Sequence, residues 1–199
     1  MKRIVALVSA GLLLVLTGCS QVNSAATVGS DAISIATVQK SVDAILAERS
    51  KVDTTGMTLE TGDVLARSEL RFHLISLLLA DVAVEKKLTV TASQVTARRA
   101  SIVAQVGGEA SLPKALVGAG IASSDFNMYL NSVLYSEALT KLAESQGATT
   151  ATAGAAIQSM VVSTAGRLKV TVNPRYGKWD PIQANIVAAD ATKGAVTTK

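Results

Sequence analysis

The chain has 199 residues, 49% of them apolar, 17% charged and 3% aromatic, with a formal net charge of +4. That length allows one domain with a sizeable core, and the apolar content excludes wholesale disorder. One cysteine and one histidine exclude an intramolecular disulfide and an ordinary Cys/His structural zinc site.

Met1-Lys2-Arg3 is a short basic start, followed by the apolar run Ile4–Leu16, in which Ser9 is the sole polar side chain. This is the pattern of a secretory signal. Thirteen helical residues rise about 20 Å, short of the ~30 Å hydrocarbon core of a bilayer, so the run is not expected to span. Thr17-Gly18-Cys19 follows, and two small residues before the only cysteine resemble the bacterial lipobox. In that motif the thiol is alkylated by diacylglycerol and the chain is cut between Gly18 and Cys19. A thiol is the soft nucleophile that such a thioether requires. Cleavage there removes two of the 19 basic residues and leaves 17 against 15 acidic ones, a net charge of +2. With no basic stripe and six aromatic residues, nucleic acid is not an expected partner.

Residues 19–26 read as a polar tether. Thr27-Val28 and Ala32-Ile33 around Gly29-Ser30-Asp31 predict two strand stubs and a tight turn. Ser34 is placed to cap a helix from Ile35 to about Lys51, whose Ile35, Val38, Val42 and Ile45 recur at helical spacing. Val52–Gly62 reads as a loop. Asp63–Lys87 carries the strongest helical pattern, apolar nearly all round in its second half and therefore buried on several sides. Thr91 and Gln94 form a capping box that opens a helix ending at Gly107-Gly108. Ser111-Leu112-Pro113 starts a short helix that closes at Gly118–Gly120. Ser123 is expected to cap a long helix, Ser124–Ser145. Ala148–Ala165 reads as a further helix. Arg167-Leu168-Lys169-Val170-Thr171-Val172 alternates strictly and predicts a half-buried strand ended by Asn173-Pro174. Arg175–Pro181 reads as an aromatic-bearing turn and residues 182–199 as a flexible tail. The terminal strand needs a partner, and the stubs near Thr27–Ile33 are the available ones, so the two ends of the domain are expected to close on each other.

The ordered set of features resembles the SurA N-terminal domain, a peptide-binding chaperone domain related to the trigger-factor C-terminal region. Val28-Gly29-Ser30-Asp31-Ala32-Ile33-Ser34 is similar to the family's opening strand–turn–strand. Leu74–Val95, with the junction Glu85-Lys86-Lys87-Leu88-Thr89-Val90-Thr91, is similar to its central signature. Gly107–Ser124 and the long helix after it resemble its short-helix and long-helix pair. The segment Val172–Asp180 is similar to the one closing this domain in lipoproteins of actinobacterial type. The resemblance covers about Thr27–Pro181. It implies a mainly α (α+β) fold, residues 27–181, clasped by a small sheet from its two ends. It also implies an activity: holding unfolded or extended polypeptides outside the cytoplasm. Gln146–Gly166, where a prolyl isomerase domain would have to fit, is far shorter than the roughly 50 residues a folded domain needs. No catalysis, cofactor or metal is therefore expected.

His73 is the only possible imidazole base, and the sequence identifies no acid or nucleophile beside it, so a structural role is expected. Asp81, Glu85, Asp125, Glu137 and Glu144 read as solvated helix faces. Phe126, Met128, Tyr129, Tyr176 and Trp179 are the candidate peptide-binding residues, with an inward-packed aromatic clasp the competing role for Tyr176 and Trp179. The expected protein is a lipoprotein on the outer face of a bacterial cell membrane, with the bilayer and extended polypeptides as partners. A partner-binding envelope lipoprotein and an accessory protein of the prolyl isomerase family are the alternatives.

Overall fold

The computed structural model describes residues 23–189; the signal segment, Gly18, Cys19 and the end of the expected tail lie outside them. The chain opens with β1 (Ser24–Val28), turns at Gly29-Ser30 and returns as β2 (Asp31–Ser34). Strand β1 thus begins inside the stretch expected to be a tether. Ser34 caps α1 (Ile35–Arg49), accepting from the Thr37 amide at 2.9 Å. The loop that follows ends at α2 (Gly62–Glu85), the longest helix. Leu70, Leu74, Leu78 and Val82 recur at i, i+4 along α2 and are all buried, as its apolar pattern requires. Helix α2 packs against α1, β1 and β2 as well as the later elements.

The Thr91–Gln94 capping box forms and starts α3 (Ala92–Gln105). A 3₁₀ turn leads into α4 (Leu112–Ala119), whose end at Gly120 is left-handed. A second 3₁₀ turn, Ser123–Asp125, precedes α5 (Phe126–Ser145). Ser123 is not the cap of α5; its amide and hydroxyl instead bond Glu48 of α1, because the intervening 3₁₀ turn moves it away from the helix start. The Thr149–Thr152 capping box opens α6 (Thr150–Leu168).

The alternating segment near the C-terminus is the main departure from expectation. Helix α6 runs past Gly166 through Leu168, and the strand shrinks to β3 (Thr171–Val172). Leu168 packs on the main core from the helix, and Lys169 makes the left-handed stop with φ 54°. Strand β3 pairs antiparallel with β1, so the sheet order is β2-β1-β3 and the two ends of the domain close as expected. Beyond it, β4 (Lys178–Asp180) and β5 (Asn185–Val187) form a hairpin. Residues 182–187, expected to be tail, are therefore folded: Ala184 and Ile186 are buried in the main core. That core joins α2 to Val28, Ile33, Leu139, Val161 and Ala165. A separate cluster of Leu112, Leu116, Phe126 and Leu130 is covered by α3. The architecture is mainly α with two small antiparallel sheets.

Candidate functional site

Helix α2 faces α5 across Ser76 and Ser132, whose hydroxyls bond at 2.8 Å. Small side chains here let the helices approach but leave space on either hand. A groove of about 690 Å³ opens beside this contact, walled by Asp31, Ala32 and Ile33 of β2, Leu77 and Ala80 of α2, and Met128 and Tyr135 of α5. Ser76 and Ser132 also line an adjoining depression of about 390 Å³, bounded by Phe72, Ile75, Leu79 and Tyr129. A third, of about 430 Å³, shares Phe72 and Tyr129 with the second and is more polar, carrying Arg49, Glu60 and Glu69. Strand β2 is an edge strand of its sheet, and three of its four residues line the first groove.

A polar cluster lies beneath this surface. Ser41 on α1 and Glu69 on α2 are each 2% exposed, and His73 on α2 is 7% exposed. The Ser41 hydroxyl donates to Asp125 Oδ2 at 2.5 Å and stands 3.0 Å from His73 Nε2. Since its one proton points to the carboxylate, the hydroxyl accepts from His73, which places the imidazole proton on Nε2. His73 Nε2 and Asp125 Oδ2 are 3.6 Å apart. Burial lowers the His73 pKa, opposed by the Asp125 charge. The Glu69 carboxyl is pushed up to about 7, chiefly by burial and then by Asp125 and Glu60, with Arg49 acting against them.

Serine, histidine and aspartate meet here, but not as a hydrolytic triad. That chemistry needs the acid on the far ring nitrogen and the serine facing substrate. Here Asp125 and Ser41 lie on the same nitrogen, and Ser41 is enclosed. The hydroxyl bridges two buried polar groups and orients them.

The candidate peptide-binding residues divide. Met128 lines the first groove and Tyr129 the other two depressions. Phe126 belongs to the core instead: it is buried with Leu112, Leu116 and Leu130 and stacks on Tyr129 at 6.3 Å. Tyr176 is likewise a core residue, its carbonyl held by Arg67 Nε at 2.8 Å. Trp179 pairs with Ile186 in the hairpin and packs against the same core. Turn geometry at Asn173-Pro174 and Gly177 aims these two rings inward, as the clasp reading anticipates. Among the carboxylates, Glu85 and Glu137 are ion-paired with Arg167 and Arg98. Asp125 and Asp81 are half-buried, unlike the solvated groups expected. Ser41 and Glu69 were not legible as site residues. The one available signal was Glu69-x-x-x-His73, a spacing that puts both side chains on one helix face.

Compared with protein-family models, curated proteins and solved structures, the chain finds no match.

Proposed function

We propose that this protein is a membrane-anchored, extracytoplasmic SurA-like module that holds extended polypeptide segments without catalysis. The observation that carries the reading is the first groove with an edge strand on its wall. An extended client can add to the β2 edge through main-chain hydrogen bonds, which are indifferent to sequence. Alternate client side chains then enter a trough of Ala32, Ile33, Leu77, Ala80, Met128 and Tyr135. Burial there contributes about 25 cal/mol per Å² of apolar surface, again without demanding a particular residue. Methionine suits such a surface because its unbranched thioether adapts to different shapes. The anchor reading adds position. Five residue steps separate Cys19 from Ser24, and a chain extends by at most ~3.5 Å per step. An acylated Cys19 would hold the sheet within about 18 Å of the bilayer, where translocated chains emerge.

Ala32 is exposed on β2, and Met128 is half-buried on α5. Ala32→Arg and Met128→Glu therefore charge the groove without opening the core. The full chain in detergent should delay aggregation of several unfolded clients at near-stoichiometric ratio, and the double variant should lose that protection or bind an extended apolar peptide about tenfold more weakly. Equal protection by both proteins, or none by the native one, contradicts the reading.

A further inference from the structure

One donor atom from each of Glu69, His73 and Asp125 lies within 4.8 Å of the other two. Ligands at about 2.1 Å around a tetrahedral ion stand about 3.4 Å from one another. His73 Nε2 and Asp125 Oδ2, 3.6 Å apart, already have nearly that separation, and a shift of at most about 1.4 Å completes the set with Glu69. Glu69 also points to a missing partner. It is 2% exposed, yet its Oε2 has no hydrogen-bond donor. Arg49 is the cation whose charge acts on it, but Arg49 Nε is itself buried without a partner. A buried oxygen in that state has given up its water without a replacement, which is unfavourable until a donor or a cation reaches it. Access exists from both sides, since His73 borders the first groove and Glu69 the third depression.

We propose that Glu69, His73 and Asp125 bind one borderline divalent transition ion, of which Zn²⁺ is the representative, tying α2 to the start of α5. The donor set decides the class. An imidazole favours such an ion over Mg²⁺ or Ca²⁺, and the absence of thiolate from the set disfavours a soft ion. Ser41 keeps its hydrogen bond to Asp125 and orients the ligating carboxylate from outside, the usual role of an outer-shell partner. His73 frees Nε2 by moving its proton to Nδ1, so the ring stays neutral. The proposal is independent of peptide binding, although the ion would stiffen one wall of the groove.

The histidine is unique in the sequence, so its imidazole resonances need no assignment by mutation. The experiment uses the full untagged chain carrying Cys19→Ser, stripped with chelator and held in detergent, and titrates ZnCl₂ by calorimetry and by ¹⁵N-imidazole NMR. We expect one Zn²⁺ per chain, a large shift of the imidazole Nε2 signal, and no displacement by millimolar MgCl₂. Glu69→Gln and Asp125→Asn, checked for native circular dichroism, should each weaken binding at least tenfold. An imidazole signal unmoved at saturating Zn²⁺ would overturn the proposal even if a variant failed to fold. So would affinity unchanged in both variants, or displacement by MgCl₂.

Discussion

Asp81 projects from α2 with its Oδ2 buried and without a hydrogen-bond partner. Burial is the main reason its pKa is raised, Asp31 adds to it and Arg167 opposes it. The folded protein therefore holds this proton more tightly than the unfolded chain does. The resulting stability is present below the unfolded value near 3.8 and is lost as the pH rises through the folded one. At neutral pH the carboxylate is a liability, and Asp81→Asn should raise the melting temperature by about 2–4 °C, the effect of ~1 kcal/mol in a chain of this size. Melting curves between pH 3.5 and 7.5 check the sign: the gain should shrink toward acid, and a gain independent of pH would show that charge burial is not its cause. From the sequence Asp81 reads as solvated, because helical spacing says which residues share a face, not which face a later helix will cover. The same limit hid the polar cluster. Glu69 and His73 lie four apart and can be paired from the sequence, whereas Ser41 and Asp125 are brought to them only by the meeting of α1 with the turn before α5.

Elements with strong local signals were legible almost residue by residue. Ser34 and the Thr91–Gln94 box cap the helices they were expected to cap, because a cap is a contact over three residues. Elements decided by distant contacts were not. Alternation in Arg167–Val172 predicts a strand, but Leu168 ends α6 packed against the main core, and its carbonyl accepts the Gly29 amide at 2.7 Å. The β4–β5 hairpin was missed because its buried positions, Ala184 and Ile186, sit in a short segment with neither period. Gly177 makes that hairpin possible. Its φ is +127°, and a Cβ there would lie 2.1 Å from the Val187 carbonyl oxygen. Backbone cannot yield as a flexible side chain can, so Gly177→Ala must break the approach of β5. Strain of about 1–3 kcal/mol predicts a melting temperature lower by roughly 2–12 °C. Trypsin should then cut faster at Arg175 and Lys178, which flank the clasp. Unchanged melting and unchanged cleavage would mean that the hairpin does not pin this end of the chain.

At the scale of the whole molecule, the pairing with the widest span in sequence is the one that closes its two ends. Strands β1 and β3 stand before and after all the helices in the chain, and their pairing sets Thr27 beside Thr171 and Ala26 beside Val172. Asn173 extends the contact, its amide bonding the Ala25 carbonyl at 2.8 Å and its side chain the Ser24 carbonyl at 3.1 Å. The helices between meet over shorter separations in sequence, the packing of α2 on α5 and α6 included. The β1–β3 pair instead has to overcome the entropy of closing a loop through nearly the whole domain. That makes it the place where a covalent link would act most on the unfolded state. Thr27 and Thr171 suit one: their Oγ1 atoms are 2.6 Å apart, 144 residues separate them, and neither belongs to the core. With Cys19→Ser to remove the competing thiol, Thr27→Cys and Thr171→Cys should oxidise to a disulfide without a catalyst. A loop of this length restricts the unfolded chain by up to about 5 kcal/mol, from which any native strain subtracts. The oxidised double variant should therefore melt roughly 5–15 °C above its reduced form, while either single variant should show no redox dependence. If the two thiols stay free in the folded protein under mild oxidant, the ends are not adjacent, and the groove beside β2 loses the sheet that holds its wall in place.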